Sequence, residues 1–305
     1  MNKVRIIVLN FNLPEYTIAT VKQLVKQLVV EKEIIVVDNC STKQNYEKLK
    51  NELDRNAILI RSEINLGYSR GNNLGCKITT GFNPDYYFIL NNDVEIEDEN
   101  LIKKLIISIE CNAKNKVVAA SPLVDTISTK KSIEKQIQVR KIFPFWKQVI
   151  VNSPFLNKIF CNIMYEYLYK RQMPFKNKYL ICDSINGCAF LINAEVFEMN
   201  GYLDEGTFLF FEEIILGKQL KLMGCQCVLD GFTSLKHLQG LSTKSTKSKF
   251  NIKMEREKVI SEIYYFKKIL GKPTSIINLI RLLRLFEIYC LCFINKIINI
   301  TKKDK

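Results

Sequence analysis

Short apolar runs alternate with amphipathic segments at the start of the chain. Residues 4–11 (VRIIVLNF) are rich in β-branched side chains and predict a strand, and residues 14–28 begin with proline and keep helical spacing. Residues 33–37 predict a second strand that ends at Asp38. A strand, a helix and a strand with an acid at its tip form the first half of a nucleotide-binding α/β layout.

An abrupt change from apolar to polar residues marks the centre of the predicted site. Residues 86–90 (YYFIL) are followed directly by Asn91, Asn92 and Asp93. Such a run predicts a buried parallel strand that delivers an acid at its carboxyl end. Because ligands bind at that end of the strands in open α/β sheets, we expect Asp93 to lie at the centre of the functional site.

A turn rich in glycine and asparagine precedes this central strand. A third strand is predicted over residues 57–60, and residues 65–73 (NLGYSRGNN) then lead into a helix that runs towards Thr80. Glycine lets a backbone approach a ligand closely, and helix N-termini favour phosphate. Residues 65–73 are therefore a candidate phosphate-binding segment.

The strand pattern is interrupted after residue 125 and then resumes. Residues 126–178 are basic with interleaved aromatic side chains, which indicates either an inserted, partly helical lobe or aromatics packed on the main core. Residues 179–193 return to strand character around Gly187. Helical spacing over residues 212–223 begins at an acid pair, and residues 225–229 predict a last short strand.

Composition leaves several anionic partners open. The 305-residue chain is 47% hydrophobic and carries a formal charge of +14, so nucleic acid, a nucleotide or an anionic membrane could be its partner. Its ten cysteines lack CxxC spacing and are expected to be reduced. The apolar run at the N-terminus is too short for a signal peptide, so we expect a cytoplasmic protein.

Most of the net positive charge lies in the C-terminal tail. Residues 236–305 carry 16 Lys or Arg against 5 acids. No uncharged run reaches the roughly 18–20 residues of a spanning helix, which favours an interfacial helix or, alternatively, helices that close over the core or form a dimer contact. A helical wheel places apolar residues on one face and polar residues opposite: Leu279, Leu282, Leu283, Phe286, Tyr289, Phe293, Ile297 and Ile300 against Arg281, Arg284, Asn295, Lys296 and Asn299.

Six motifs in order resemble those of one enzyme family. They are VRIIVLNFN, IIVVDNCST, NLGYSRGNNLG, FILNNDVEI, INGCAFLINAEVFEMNGYLDEGTFLFFEE and SLKHLQGLST. Over about residues 3–245 the chain closely resembles family 2 glycosyltransferases of the GT-A fold, especially the bacterial rhamnosyltransferase-like branch of surface polysaccharide synthesis. The resemblance implies an α/β fold with a Rossmann-like mixed sheet flanked by helices. It also implies a domain over 1–245. The position of the 126–178 lobe indicates an acceptor-side role, and the charge and helical wheel predict a basic, amphipathic helical tail over 246–305.

The resemblance implies a nucleotide-sugar donor, with UDP, dTDP or GDP as the nucleotide. Asp38 would contact the nucleoside. The other donor-pocket residues would be Asn65, Gly67, Asn72, Asn73 and Asn92.

The same resemblance implies a Mg²⁺ or Mn²⁺ cofactor. Asp93 matches the final acid of the motif that holds this ion against the donor diphosphate. Asn91 stands where many relatives have the first acid, and it can supply a neutral oxygen. His237, the only histidine, matches a residue near the diphosphate or metal.

The acid pair Glu212 and Glu213 matches the family's catalytic Glu-Asp pair. The second member is the general base that deprotonates the acceptor hydroxyl, so Glu213 would take that role in a single, inverting displacement. Its extra methylene must be compensated by the backbone to bring the carboxylate within about 2.6–3.2 Å of the hydroxyl oxygen. Ile215 replaces a further acid of the family pattern.

The expected acceptor is a glycan hydroxyl, commonly lipid-linked in surface polysaccharide assembly. The basic tail would then hold a peripheral enzyme on the inner face of the cell membrane. The departures at Asn91, Glu213 and Ile215 motivate one alternative, an inactive nucleotide-sugar-binding protein. A sugar-phosphate nucleotidyltransferase is a second alternative, although the N-terminal segment lacks a glycine-rich basic signature. No recognition motif for nucleic acid is present, and the oligomeric state stays open.

Overall fold

The computed structural model describes residues 2–28, 31–126, 138–238 and 251–301. Within these ranges strands and helices alternate through the first half of the chain, and helices dominate the end. In chain order the elements are β1 (Lys3–Asn10), α1 (Pro14–Val25), β2 (Glu31–Asn39), α2 (Lys43–Glu52), β3 (Ala57–Ser62), α3 (Gly67–Cys76), β4 (Tyr86–Asn91), β5 (Val94–Glu95), α4 (Leu101–Cys111), β6 (Val117–Thr126), α5 (Phe145–Asn152), α6 (Leu156–Ile159), α7 (Cys161–Tyr167), β7 (Tyr179–Cys182), β8 (Ala189–Asn193), α8 (Ala194–Met199), α9 (Glu212–Leu222), β9 (Gln226–His237), α10 (Ile252–Tyr264) and α11 (Thr274–Thr301).

Nine strands in the described part of the chain form one mixed sheet. Its order is β3-β2-β1-β4-β8-β6-β9-β5, and β7 pairs with β9. Strands β1 to β4 run parallel, whereas β8 is antiparallel to both β4 and β6. The mixed sheet with flanking helices confirms the predicted α/β class.

The register of the parallel strands brings their polar ends together. Asn10 at the end of β1 lies beside Asp38 at the end of β2, and Leu9 lies beside Asn91 at the end of β4. The polar residues that follow three separate apolar runs therefore share one edge of the sheet, as expected for parallel strands.

Both faces of the central strands are buried. Ile6, Ile7 and Val8 on β1 have no solvent exposure, although their side chains point alternately to opposite faces. Two separate clusters of apolar side chains cover the two faces. This double coverage explains why the sequence shows continuous apolar runs rather than alternation.

Two predicted strands differ from the observed ones. Residues 179–193 form two strands, because β7 pairs with β9 whereas β8 pairs with β4, and the connecting loop 183–188 passes between them. The last strand is not confined to residues 225–229. It extends to His237 because its second half also pairs with β6, after a register shift between Pro122 and Leu123.

The glycine-rich segment is also organised differently from the prediction. Helix α3 begins at Gly67 and ends at Cys76, so most of residues 65–73 is the helix itself and not a turn before it. Gly67 has a positive φ of 76°, and a β-carbon there would lie 2.3 Å from the carbonyl oxygen of Phe208. Glycine is therefore required where the segment packs against residue 208.

The C-terminal helices pack on the lobe and on α9. A third cluster of buried apolar side chains joins α5 and α7 to α9, α10 and α11. Ile215 is fully buried in this cluster with Tyr265 and Phe266. The acid expected at position 215 from the family pattern is thus replaced by an apolar side chain because the tail covers this part of α9.

A buried ion cluster fastens α11 to α10 and the lobe. The guanidinium of Arg284, 3% exposed, donates to Glu262 at 2.6 and 2.8 Å and to Glu287 at 2.8 Å. It also donates to the carbonyl oxygen of Val149 at 2.7 Å. None of the described helices is long and apolar enough to cross a bilayer.

Candidate active site

A cavity of about 370 Å³ lies beyond the carboxyl end of β4 and is closed on one side by α10 and α11. Its walls combine residues from strand ends, the 183–188 loop, the start of α9 and the lobe. The lining residues that matter for chemistry are Tyr68, Asn91, Arg140, Gly187, Glu213 and His237. The cavity therefore brings together the predicted metal-binding strand end, the predicted histidine and the predicted base.

Asp93 and His237 form a buried pair, and of the two only His237 lines the cavity. Asp93 is 2% exposed and His237 is 7% exposed, and His237 Nε2 lies 3.1 Å from Asp93 Oδ1. The amide nitrogen of Asn91 lies 3.5 Å from the same His237 atom. Antiparallel pairing of Val94 with His237 produces this juxtaposition. Residues 239–243, which complete the last sequence motif, lie outside the described residues.

The pair has suitable spacing for a divalent cation. When each ligand atom lies about 2.1 Å from an octahedral ion, neighbouring ligand atoms lie about 3.0 Å from each other. This is close to the distance between His237 Nε2 and Asp93 Oδ1. No group of three or more His, Cys, Asp or Glu side chains that could hold a metal occurs in the described parts of the chain. An ion here would have one carboxylate, one imidazole and the Asn91 amide oxygen, and Mg²⁺ commonly completes such sets with water and substrate phosphate.

Glu213 reaches the cavity from the first turn of α9. Its Oε1 accepts a hydrogen bond from the Gly187 backbone N–H at 3.4 Å and lies 3.6 Å from Arg140 Nη1. The Ser184 hydroxyl donates to the Glu213 carbonyl at 2.9 Å, so the 183–188 loop holds both backbone and side chain. A β-carbon on Gly187 would lie 2.8 Å from Glu213 Cγ, which explains why glycine is needed there.

Backbone strain precedes the acid pair. Phe210 and Phe211 have positive φ values of 74° and 73°, a region that aromatic residues rarely adopt. The tail supports this conformation, because the Ser261 hydroxyl donates to the Leu209 carbonyl at 2.7 Å and the Tyr265 ring lies 5.7 Å from that of Phe211. The sharp turn directs the start of α9, and thus Glu213, into the cavity.

Glu212 has a different environment from its neighbour. It is 7% exposed, and its Oε1 has no hydrogen-bond partner among the described residues. Burial, followed by the charge of Glu213, raises the pKa of Glu212 to about 8. Glu212 therefore holds its proton more tightly than an ordinary glutamate, which sets it apart from Glu213, the predicted base.

Asp38 lies at the end of β2 but inside the protein. Its carboxylate has no solvent exposure, accepts a hydrogen bond from the Asn10 amide at 2.8 Å and lies 3.4 Å from Arg61 Nε. The Ser41 backbone N–H donates to it at 3.3 Å. Direct contact with a nucleoside stays a prediction, and it requires Arg61 to leave the carboxylate.

Three of the predicted donor-pocket residues form hydrogen bonds with other groups of the protein. Asn65 Oδ1 accepts hydrogen bonds from Asn39 at 3.1 Å and from the Gly67 N–H at 3.0 Å. Asn73 Nδ2 donates to the Leu203 carbonyl at 2.8 Å and to Glu205 Oε1 at 2.9 Å. Asn73 Oδ1 accepts from the Leu203 backbone N–H at 3.1 Å. Direct contact of Asn65, Gly67 or Asn73 with a donor stays a prediction.

Asn72 and Asn92 are both buried. Asn72 Nδ2 donates to the Tyr68 carbonyl at 3.0 Å, whereas its Oδ1 has no partner in the described residues, so it stays a candidate donor contact. Asn92 donates to Asn10 at 3.2 Å and to Thr17 at 2.9 Å. These bonds link the end of β4 to β1 and α1, and a donor contact of Asn92 stays a prediction.

Arg140, Tyr68 and Gly187 are cavity residues that the sequence analysis did not assign. Arg140 enters through an isolated bridge to Ser184, and the Tyr68 hydroxyl donates to the Gly187 carbonyl. Burial is the main cause that raises the pKa of Tyr68 well above its ordinary value, so this hydroxyl stays a donor. Tyr68 could have been found from the sequence, because it lies within the predicted 65–73 segment. Arg140 could not, because nothing in the basic lobe distinguishes it from the neighbouring Lys and Arg residues.

Comparisons with known proteins agree on one enzyme class. The sequence profile described as Glycosyl transferase family 2 matches residues 5–197. A protein of Haemophilus influenzae, described as an uncharacterized glycosyltransferase, is 22% identical over 293 residues, which cover 93% of this chain and 80% of that relative.

Two solved structures are similar in fold. The mannosyltransferase from Pyrobaculum calidifontis, in complex with GDP-Man and Mn²⁺, matches with a TM-score of 0.55 and 11% identity, covering 95% of this chain and 73% of its own. GalNAc-T7 with UDP, GalNAc and Mn²⁺ matches with a TM-score of 0.53 and 16% identity over 87% of this chain. This chain spans about half of GalNAc-T7, 48% of its length. Such likeness shows the fold alone, and it confirms the predicted GT-A fold.

Proposed function

The chain belongs to glycosyl transferase family 2, and we propose that it transfers a sugar from a nucleotide-diphosphate donor to a glycan hydroxyl with inversion. One observation carries this proposal: His237, which is paired with Asp93, and the Glu213 carboxylate approach the same cavity from different elements. A diphosphate site and a base must face a common space if an acceptor hydroxyl is to attack a donor sugar.

The donor is proposed to be a UDP-, dTDP- or GDP-sugar. Support comes from the two solved structures of similar fold, which are complexes with UDP and with GDP-Man. Asp93, His237 and Asn91 would hold Mg²⁺ or Mn²⁺, and that ion, when bound, offsets the negative charge that develops on the departing diphosphate. The buried amide oxygen of Asn72 is a further candidate contact.

Glu213 is proposed to be the general base. The acceptor hydroxyl gives its proton to the Glu213 carboxylate as its oxygen bonds to the anomeric carbon. The bond from that carbon to the diphosphate oxygen breaks, and its electron pair leaves with the nucleoside diphosphate. Gly187 N–H and Arg140 orient the carboxylate, since both lie within 3.6 Å of Oε1. A single displacement from the opposite face inverts the anomeric configuration.

The acceptor is proposed to be a lipid-linked glycan in surface polysaccharide synthesis, with a hexosyl or deoxyhexosyl group transferred. Support comes from the motif resemblance to the rhamnosyltransferase-like branch and from the formal charge of +14. We place the enzyme as a peripheral protein on the inner face of the cell membrane.

The non-catalytic alternative loses much of its motivation. Ile215 replaces an acid because α9 is covered by the tail, and the strained turn at Phe210 and Phe211 gives the longer Glu213 a defined route into the cavity. Neither of these two departures requires loss of activity, and the third, Asn91, still motivates the alternative.

The proposal is tested with a panel of UDP-, dTDP- and GDP-sugars and a lipid-linked acceptor mixture. Release of nucleoside diphosphate is measured with Mn²⁺ or with EDTA, and NMR gives the anomeric configuration of the product. We expect metal-dependent release from one donor class and an inverted product. A retained configuration would refute the single displacement, and donor binding without release would favour the non-catalytic alternative.

A further inference from the structure

Helix α11 turns its apolar face to solvent. Leu279, Leu282, Phe286, Tyr289 and Phe293 are 58–70% exposed and follow one another at spacings of three and four residues. On the opposite side Ile277, Arg284, Glu287 and Ile288 are all buried against the protein. The packing of the tail on the core therefore uses the other side of the helix and leaves this surface, the α11 outer face, uncovered within the described structure.

The lobe extends the α11 outer face. Phe155 lies across a shallow apolar groove from Phe286, Tyr289 and Phe293. Ile159 and Phe160, which follow Phe155 by four and five positions in the lobe, are 69% and 45% exposed. A run of large apolar side chains contributed by two separate elements is more extensive than the scattered exposed residues usual on protein surfaces.

The charges around the α11 outer face are mainly positive. Residues 145–165 and 267–301 contain eight Lys or Arg and a single acid, Glu287, which is buried against Arg284; directly after the first range, Glu166 pairs with Lys147 at 2.9 Å. Arg281 and Lys296 flank the apolar residues and are exposed. An apolar stripe with basic flanks is complementary to an anionic lipid surface, where the rings enter the interface and the cations meet headgroups.

A second copy of the chain fits this surface less well. Paired helices use a narrow apolar seam flanked by opposite charges, whereas this stripe is broad and its flanks lack exposed acids. Two such surfaces brought together would place like charges side by side.

We propose that the α11 outer face and the Phe155–Phe160 segment form a docking surface for an anionic lipid bilayer. The opposite side of the same helix lines the catalytic cavity through Arg284, Glu287, Ile288 and Leu291. Docking would thus separate the cavity from the bilayer by about one helix diameter, roughly 10 Å. This second step rests on the proposed function: a lipid-linked acceptor would reach Glu213 from the membrane on which the enzyme lies.

Vesicle co-sedimentation of the full chain tests the surface. The vesicles contain phosphatidylcholine alone or phosphatidylcholine with phosphatidylglycerol. The variants are Phe286→Glu/Phe293→Glu and, as an independent second site, Leu279→Glu. Met199→Glu is the matched control, since Met199 is 72% exposed at the end of α8. Urea unfolding midpoints and sedimentation velocity accompany each variant.

We expect binding to the anionic vesicles, weakened about tenfold or more by either α11 variant and unchanged by Met199→Glu. Equal binding by wild type and both α11 variants would overturn the proposal. A second result would also overturn the proposal: the wild type binds no vesicles but forms a concentration-dependent dimer that the variants abolish. The surface would then be occupied by a second copy of the chain. Donor turnover measured without vesicles reports the proposed function separately, and it should be unchanged in the α11 variants.

Discussion

Glu212→Gln isolates the consequence of burying an acid beside the proposed base. The substitution keeps the shape of the protonated side chain and removes the titrating group. In the wild type, burial and the neighbouring Glu213 raise the pKa of Glu212 to about 8, against an ordinary value of 4.5. The native state therefore keeps a proton that the unfolded chain releases.

The sign and size of the effect follow from this difference. Between about pH 5 and pH 8 the native state binds one more proton than the unfolded state, so the free energy of unfolding falls as pH rises, by about 1.4 kcal/mol per pH unit at most. Over that window the loss sums to about 4 kcal/mol as an upper limit. Below pH 4.5 both states are protonated and the contribution is constant.

Urea denaturation of both proteins across pH 5 to about pH 8 measures the effect. Titrating groups remote from Glu212 contribute equally to wild type and variant, so they cancel in the difference, whereas the neighbouring Glu213 does not. We expect Glu212→Gln to gain stability over the wild type steadily as pH rises through this window. Parallel pH profiles for the two proteins would refute the reasoning, because they would mean that Glu212 ionises in the native state as readily as in the unfolded one.

Three further substitutions probe the rest of the site and its supports. Gly187→Ala would put a β-carbon 2.8 Å from Glu213 Cγ, and we expect kcat to fall about 100-fold with an unchanged urea midpoint; normal kcat would contradict the packing argument. Arg284→Met leaves two buried carboxylates without their cation, which should cost about 3–5 kcal/mol in urea denaturation, whereas Arg281→Met on the exposed side of α11 should cost little. His237→Gln should raise the Mn²⁺ concentration for half-maximal donor binding by about tenfold or more, and an unchanged value would remove His237 from the metal set.

The parallel half of the sheet could be predicted because its physics is visible in the sequence. Strands covered on both faces are continuous apolar runs, and the polar residues that follow them, such as Asp38 and Asp93, must meet at one edge. The pairing of residues 179–182 with β9 could not be predicted, because it depends on a partner about 50 residues further along the chain.

The residues of the candidate site likewise fall into those that the sequence identifies and those that only the structure reveals. Glu213, Asp93 and His237 belong to recognisable motifs, and the structure brings Asp93 and His237 to 3.1 Å. Arg140 belongs to no motif and comes from a basic lobe whose position is set by packing between distant elements. The left-handed backbone at Phe211 was equally unpredictable, since aromatic residues seldom adopt it without tertiary support.

The position of the tail also required tertiary information. The helical wheel divides α11 into apolar and polar sides, but it does not say which side faces the protein. The buried side carries Arg284 and Glu287 together with Ile277 and Ile288, because Glu262 on α10 binds the Arg284 guanidinium there. Deleting the helix would therefore disturb the core as well as any membrane contact, and single exposed substitutions are the cleaner test.

The most direct test of the central claim is the turnover of Glu213→Gln with the donor that the wild type uses, alongside donor affinity measured by calorimetry. Glu195→Gln, an exposed acid on α8, serves as the matched control. If Glu213 is the general base, kcat should fall by about 10²–10⁴-fold while donor affinity stays near that of the wild type. Turnover within a fewfold of the wild type would contradict the account and move the base to another residue.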